Sequence, residues 1–240
     1  MPDTSSHSLT AATPASGSSQ KPLFGGNIAP PLRTFTDAAA APASHVRLLP
    51  AVKHDHRELE AHSHKILTST NPDEQTRYQN QFTWELARHA VGEELVVYPA
   101  LAKHVPDGHA LAAKNRLQHQ DVKQQLKNFQ GLPSTDPRFI PTLKALMDDL
   151  ERHIQQEEGE DLVKLEDALS QADSEALVRS LDRTKMFVPS RAHPLAPMTP
   201  PFDTAVGLLT APVDMVADIF RKWPHPGELE SRKGKLAAAR

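Results

Sequence analysis

Apolar residues recur at helical intervals through the middle of the chain, in four stretches separated by short polar joints. The first runs from Pro50 to about Thr68, with Val52, Leu59, Ile66 and Leu67 among its apolar positions, and predicts an amphipathic helix. A second opens at Asn71-Pro72-Asp73-Glu74. Asn71 suits the cap, Pro72 the first helical position, and the two acids face the positive end of the helix dipole. This helix should run to about Tyr98, because Pro99 lacks the donor a helix interior needs, with room for a further turn beyond it.

Asp107-Gly108 marks the next boundary, with Asp107 as the expected cap of a third helix through Leu111, Leu117, Val122, Leu126 and Phe129 to a stop at Gly131. Leu132-Pro133-Ser134-Thr135-Asp136-Pro137 is turn chemistry. A fourth helix follows through Leu143, Leu146, Leu150, Ile154, Leu162 and Leu165, and a short fifth from about Asp173 to Met186. The pattern predicts an all-α fold, an up-down-up-down four-helix bundle over residues 45–186.

The flanks differ. Residues 1–44 are rich in Ser, Thr, Ala and Pro without a sustained apolar period, which predicts a flexible arm. From Pro189 to Pro201 the chain reads as an extended connector, and Pro212 as the start of a last short helix. Its Val213, Val216, Ile219, Phe220 and Trp223 fall near one face. That face is expected to dock on the bundle, with a protein partner or a membrane surface as the alternative. Residues 187–240 thus form a Pro-rich connector and a C-terminal amphipathic helix.

Composition narrows the chemistry. With no Cys, disulfides, zinc-thiolate sites, iron-sulfur clusters and cysteine nucleophiles are all excluded, so any metal must be held by His and carboxylates. A net charge of -3 and the lack of basic runs with interleaved aromatics argue against nucleic acid as a partner. No run is long and apolar enough to span a bilayer, and the N-terminus lacks a secretory pattern. The expected location is cytoplasmic; a mitochondrial leader is the weaker reading, since the acid-poor N-terminal segment carries only Lys21 and Arg33 as basic residues.

An internal repeat carries the functional signal. His89-Ala-Val-Gly-Glu93-Glu94 in the second helix matches His153-Ile-Gln-Gln-Glu157-Glu158 in the fourth. The first and third helices supply His56 and His119, so the His-to-His interval is 33 residues in one hairpin and 34 in the other, and the unit recurs after 63 to 64. Residues four apart share a helix face, so each His-x-x-x-Glu can address one cluster. Two such hairpins can surround a pair of metal ions, with each Glu free to bridge them. Composition alone would give roughly one His-x-x-x-Glu in a chain of this length, and two of the four present, His54/Glu58 and His56/Glu60, overlap in one polar stretch. The repeat spacing is therefore the stronger argument. His54 projects away from His56 around the helix, while Glu60 could stand behind the ligands.

These residues, His56 in Asp55-His56-Arg57-Glu58-Leu59, His89 with Glu93-Glu94 ahead of Tyr98-Pro99, His119, and His153 with Glu157-Glu158, resemble the hemerythrin-like His-His-Glu cation-binding family over roughly residues 45–185. The tail from Arg191-Ala-His193-Pro194 also looks like an extension of its fungal members. The resemblance implies a hemerythrin-like bundle with a non-haem di-iron centre on His56, His89, Glu93, His119, His153 and Glu157. Another divalent transition metal is the alternative. The oxygen carriers of the family place a further His where this chain has Asn115, and an acid where it has Glu158; symmetry with Glu93 favours Glu157. The implied function is iron binding with a small diatomic or peroxide ligand, in iron, oxygen, nitric oxide or peroxide handling or sensing rather than bulk oxygen transport. A di-iron oxidase or peroxidase and a metal-free helical scaffold are the alternatives; no substrate motif argues for an enzyme.

Overall fold

The computed structural model describes residues 46–193 and 202–229, with side chains of the second stretch described from Thr210, and every regular element among them is a helix. The expected arm at residues 1–44 lies outside the described residues. Helix α1 spans Leu48–Thr68 and α2 Pro72–Gly92. A π-helical turn, Glu93–Val97, joins α2 to α3, Tyr98–His104. Then come α4, Gly108–Gln130, and α5, Phe139–Gln156; a second π turn, Glu157–Asp161, leads into α6, Leu162–Ala168. Helices α7, Gln171–Lys185, and α8, Phe202–Asp218, complete the order.

The bundle's direction alternates because each long helix crosses the same two apolar layers. One layer gathers Leu59, Ile66, Phe82, Leu86, Val122, Phe129, Leu143 and Leu150; the other gathers Leu48, Val52, Val97, Leu101, Ala112, Leu162 and Leu165. Helix α1 runs from the second layer to the first and α2–α3 back again; α4 and α5–α6 repeat the pair. Each buried Leu, Ile or Phe in these layers is worth roughly 1.5–3 kcal/mol. Between the layers every helix presents a polar stretch, and this is where the repeated His and Glu fall.

Helix ends follow the local chemistry in part. Asn71 accepts from the backbone N–H groups of Asp73 (2.9 Å) and Glu74 (3.4 Å), as its sequence predicts. The first donors of α1 are met from afar: Leu48 N–H donates to Ser174 Oγ (2.8 Å) and Leu49 N–H to Glu166 Oε2 (2.8 Å). Helix α7 packs across Gly92, where a Cβ would come within 2.9 Å of Leu181 Cδ1.

Five expectations are corrected. The second helical run does not end near Tyr98 but continues to His104. The π register pairs Tyr98 N–H with Glu93 C=O, and the next acceptor, Glu94 C=O, faces a residue with no donor, Pro99; Arg116 Nη2 reaches that carbonyl instead (3.4 Å). Asp107 does not cap with its side chain. It adopts the left-handed region (φ 57°), which swings the chain so that Gly108 lies against Leu101, where a Cβ would come within 1.9 Å of the carbonyl oxygen. Gly108→Ala should therefore cost about 3 kcal/mol, read as a lower urea midpoint, whereas Gly131→Ala, with no neighbour nearer than 3.8 Å, should be neutral or slightly stabilising.

The other three concern the C-terminal segment. Val188, Ser190, Arg191 and Ala192 are buried against the bundle, so the beginning of the expected connector is packed, and Ala192 N–H donates to Gln130 Oε1 (3.1 Å); residues 194–201 lie outside the described residues. Helix α8 starts at Phe202, ten residues before Pro212, which lies inside it. Of the face expected to dock, only Trp223 is buried; Val213, Val216, Ile219 and Phe220 face outward. No helix among the described residues is long and apolar enough to cross a membrane.

Candidate metal centre

The two π turns begin at Glu93 and Glu157, the two acids the repeat singles out. A π turn inserts one residue into the helical register and re-aims the side chains that follow, which is why such turns recur at functional sites. Both carboxylates point inward and are fully buried. Around them stand His56, His89, His119 and His153, all buried, each with its Nε2 turned to the centre.

The distances define two linked groups. His56 Nε2 and His89 Nε2 are 3.1 Å apart, and His119 Nε2 and His153 Nε2 are 3.0 Å apart. Glu93 Oε2 lies 3.3 Å from His89 Nε2 and 3.5 Å from His119 Nε2, so it serves both pairs. Glu157 Oε2 does the same from the other side, at 3.5 Å from His56 Nε2 and 3.7 Å from His153 Nε2. Donor atoms of His56, His89, Glu93 and Glu157 lie within 4.8 Å of one another, as do those of Glu93, His119 and His153. All six residues selected from the sequence thus converge.

The outward nitrogens are held by a second ring with the same two-fold order. His56 Nδ1 meets Glu158 (2.8 Å) and His119 Nδ1 meets Glu94 (3.2 Å), each the acid that follows the inner Glu of the opposite hairpin. His89 Nδ1 meets Asp55 (3.4 Å) and His153 Nδ1 meets Gln118 (3.0 Å), each the residue before the opposing His. A neutral imidazole donating outward through Nδ1 would present its Nε2 lone pair to the centre, as metal ligation requires. Cations hold this ring in turn: Arg57 on Glu158, Lys123 on Glu94 and Lys185 on Asp55, each at 2.5 Å. Glu60 contacts Arg57, one layer further out, and His54 is exposed beside Glu58, 3.6 Å away.

Sequence reasoning did not assign Asp55, Glu94, Gln118 or Glu158 this holding role, although the Glu-Glu doublets and the positions before His56 and His119 repeat with the site. Tyr98 was also missed. It is fully buried and its phenol oxygen lies 2.8 Å from His119 Nε2, on a side where its counterpart in the other hairpin is the apolar Leu162. Asn115 is buried too, with its amide nitrogen donating to Asp161 Oδ2 (3.0 Å). A surface cleft of about 200 Å³, lined by Arg57, Glu60, Glu151, Ile154, Gln155 and Glu158, stops one side chain short of His56.

The electrostatics are those of a site built for cations. Burial, and then the nearby Glu157 charge, push the Glu93 carboxyl well above the usual carboxylate range. Burial works against the charge on Glu157 as well, but His56 beside it and the other surrounding imidazoles hold it at about 2. Burial depresses His89 to about 4 and His153 to about 3. His56 goes the other way, to about 9, because contacts with Glu157 and Glu158 outweigh its burial. Neither oxygen of Glu93 or of Glu157 has a hydrogen-bond partner among the described residues. Four buried carboxylate oxygens in that state would be costly unless they had a cation to meet. The donor set and its geometry fit a metal.

Comparison with known proteins agrees with this reading. Residues 47–165 match the model of the hemerythrin HHE cation-binding domain. An uncharacterised hemerythrin-like protein of Schizosaccharomyces pombe is 45% identical over 179 residues, covering 74% of this chain and 88% of that protein. Among solved structures, an HHE cation-binding domain-containing protein of Mycobacterium kansasii aligns with a TM-score of 0.52 at 22% identity, over 58% of this chain and 85% of the other; at that identity it supports the fold alone. With a buried His/Glu cluster inside a helical bundle, and a relative so similar across most of its length, the chain belongs to the hemerythrin HHE cation-binding family.

Proposed function

We propose that this chain is a non-haem di-iron protein whose ligands are His56, His89, Glu93, His119, His153 and Glu157. The observation that carries the reading is the sharing of Glu93 and Glu157 between two His pairs, with all four carboxylate oxygens lacking hydrogen bonds. Two cations joined by two carboxylates would neutralise a charge the interior could not otherwise hold. Imidazole and carboxylate donors without thiolate suit iron, with manganese and zinc as rivals, better than magnesium or calcium.

The pair His119 and His153 has Tyr98 beside it, whereas the corresponding position of the other hairpin is the apolar Leu162, which can offer no such phenol to His56 and His89. The two ions would therefore be inequivalent. Asn115 spends its amide on Asp161, so it adds no imidazole to the set. A centre with fewer imidazoles than an oxygen carrier's leaves coordination positions for a small diatomic or peroxide ligand. It suits handling or sensing of iron, oxygen, nitric oxide or peroxide better than bulk oxygen transport.

Protein purified from iron-supplied cells should hold about two iron per chain, with oxo-to-iron charge-transfer absorption in the oxidised form. Metal analysis finding less than one equivalent, with no gain after anaerobic ferrous loading, would exclude the di-iron reading. Stoichiometric zinc or manganese in place of iron would keep the site and change its metal.

A further inference from the structure

Helix α8 buries its polar side and exposes its apolar one. Asp214 and Asp218 are both buried: His193 Nε2 lies 2.9 Å from Asp214, and Ser190 Oγ and Arg191 Nη2 donate to Asp218 at 2.6 and 2.8 Å. Just past the helix, Trp223 packs edge-on against Trp84 and donates its indole N–H to the Asp218 carbonyl (2.9 Å). These anchors fix the rotation of the helix. They leave Val213, Val216, Ile219 and Phe220 at 68%, 59%, 59% and 84% exposure, a contiguous apolar strip. In sequence, Phe202, Val206 and Leu209 precede Val213 and Val216 at the same alternation of four- and three-residue steps.

Charge indicates what the strip meets. Asp214 and Asp218 are consumed inside the protein, while residues 221–240 carry six Lys and Arg against two acids in a chain of net charge -3; Arg221 and Lys222 are taken up by Asp218 and Asp73, which leaves the four that follow. Arg232, Lys233, Lys235 and Arg240 follow one another without an acid between them. An apolar helix face next to a basic segment complements the headgroup boundary of an anionic bilayer. A second copy fits less well. The strip offers a few hundred Å², against roughly 800 Å² per partner in a stable interface.

We propose that the exposed face of α8, continued by the turn after it, is a docking surface for anionic lipid, with Val213, Val216, Ile219 and Phe220 entering the headgroup boundary and Arg232, Lys233 and Lys235 attracted to its phosphates. This role is independent of the metal centre. The test is flotation of the full chain with vesicles of phosphatidylcholine, alone or mixed with phosphatidylserine. A face variant (V216S/F220S) and a charge variant (R232S/K233S/K235S) accompany it, with melting temperature and metal content confirming that each is folded.

The wild type should float with the mixed vesicles, less so at higher salt, and hardly with phosphatidylcholine alone. The face variant should bind about tenfold or more weakly, and the charge variant on the order of a hundredfold more weakly. The proposal is overturned if the wild type does not bind mixed vesicles, or if both folded variants bind as it does. A doubled mass in sedimentation that the face variant halves would overturn it too, by giving the strip to a second copy.

Discussion

Replacing Glu93 with alanine should reduce bound metal from about two ions per chain to well under one, and Glu157→Ala should do the same. Each carboxylate sits between two imidazole nitrogens of different pairs, so losing either weakens both positions and leaves excess positive charge in a buried site. Glu158→Ala should behave differently. That side chain touches His56 through Nδ1, away from the centre, so its loss should weaken affinity by about 10- to 100-fold while the stoichiometry at saturating metal survives. Metal analysis with chelator competition reads both quantities. A Glu158 variant without metal beside a Glu157 variant that keeps it would reverse the assignment of the fourth-helix ligand.

The contrast between these adjacent acids shows what the chain makes legible. The apolar periods locate the long helices and the fifth, and the 63- to 64-residue recurrence picks out six side chains that meet in space, because period and recurrence are properties of the helices themselves. Which of Glu157 and Glu158 turns inward depends on a π turn beginning at Glu157. Nothing in Glu-Glu-Gly-Glu-Asp announces that turn, which arises where packing on both sides fixes one residue too many for an α register. The same turn after Gly92 carries the chain past Pro99 and brings Tyr98 to His119, so the missed residue and the misplaced helix end have one cause.

Helix α8 illustrates the opposite failure. Its apolar stripe is plain in the sequence, and burial of that stripe is the ordinary expectation. The outcome is inverted because Asp214 and Asp218 find an imidazole, a guanidinium and a hydroxyl on the segment that precedes them, His193, Arg191 and Ser190, contacts between residues more than twenty positions apart that no local period encodes.

Chelation should lower the melting temperature of the wild type by roughly 8–16 °C, and that of Glu93→Ala hardly at all. Metal present at about a thousand times its dissociation constant adds about 4 kcal/mol to the native state, and each kcal/mol is worth about 2–4 °C in a chain of this size. The gap should also depend on pH. In the metal-free protein His56 is held at about 9, so it carries a proton at neutral pH that binding must expel, and the raised Glu93 carboxyl sets a second proton against the metal as pH falls.

The signs agree. His56, with its folded pKa raised, stabilises the metal-free form fully below about pH 6.5 and loses that contribution as pH rises through about 9. Glu93, whose carboxyl is also raised, makes the metal-free fold less stable as pH climbs above its unfolded value near 4.5. Metal affinity rises over the same span because fewer protons compete. Calorimetric scans should therefore show the difference between loaded and chelated protein widening from pH 6 towards pH 9 and closing in acid. A difference that is absent, or independent of pH, would favour a metal-free helical scaffold.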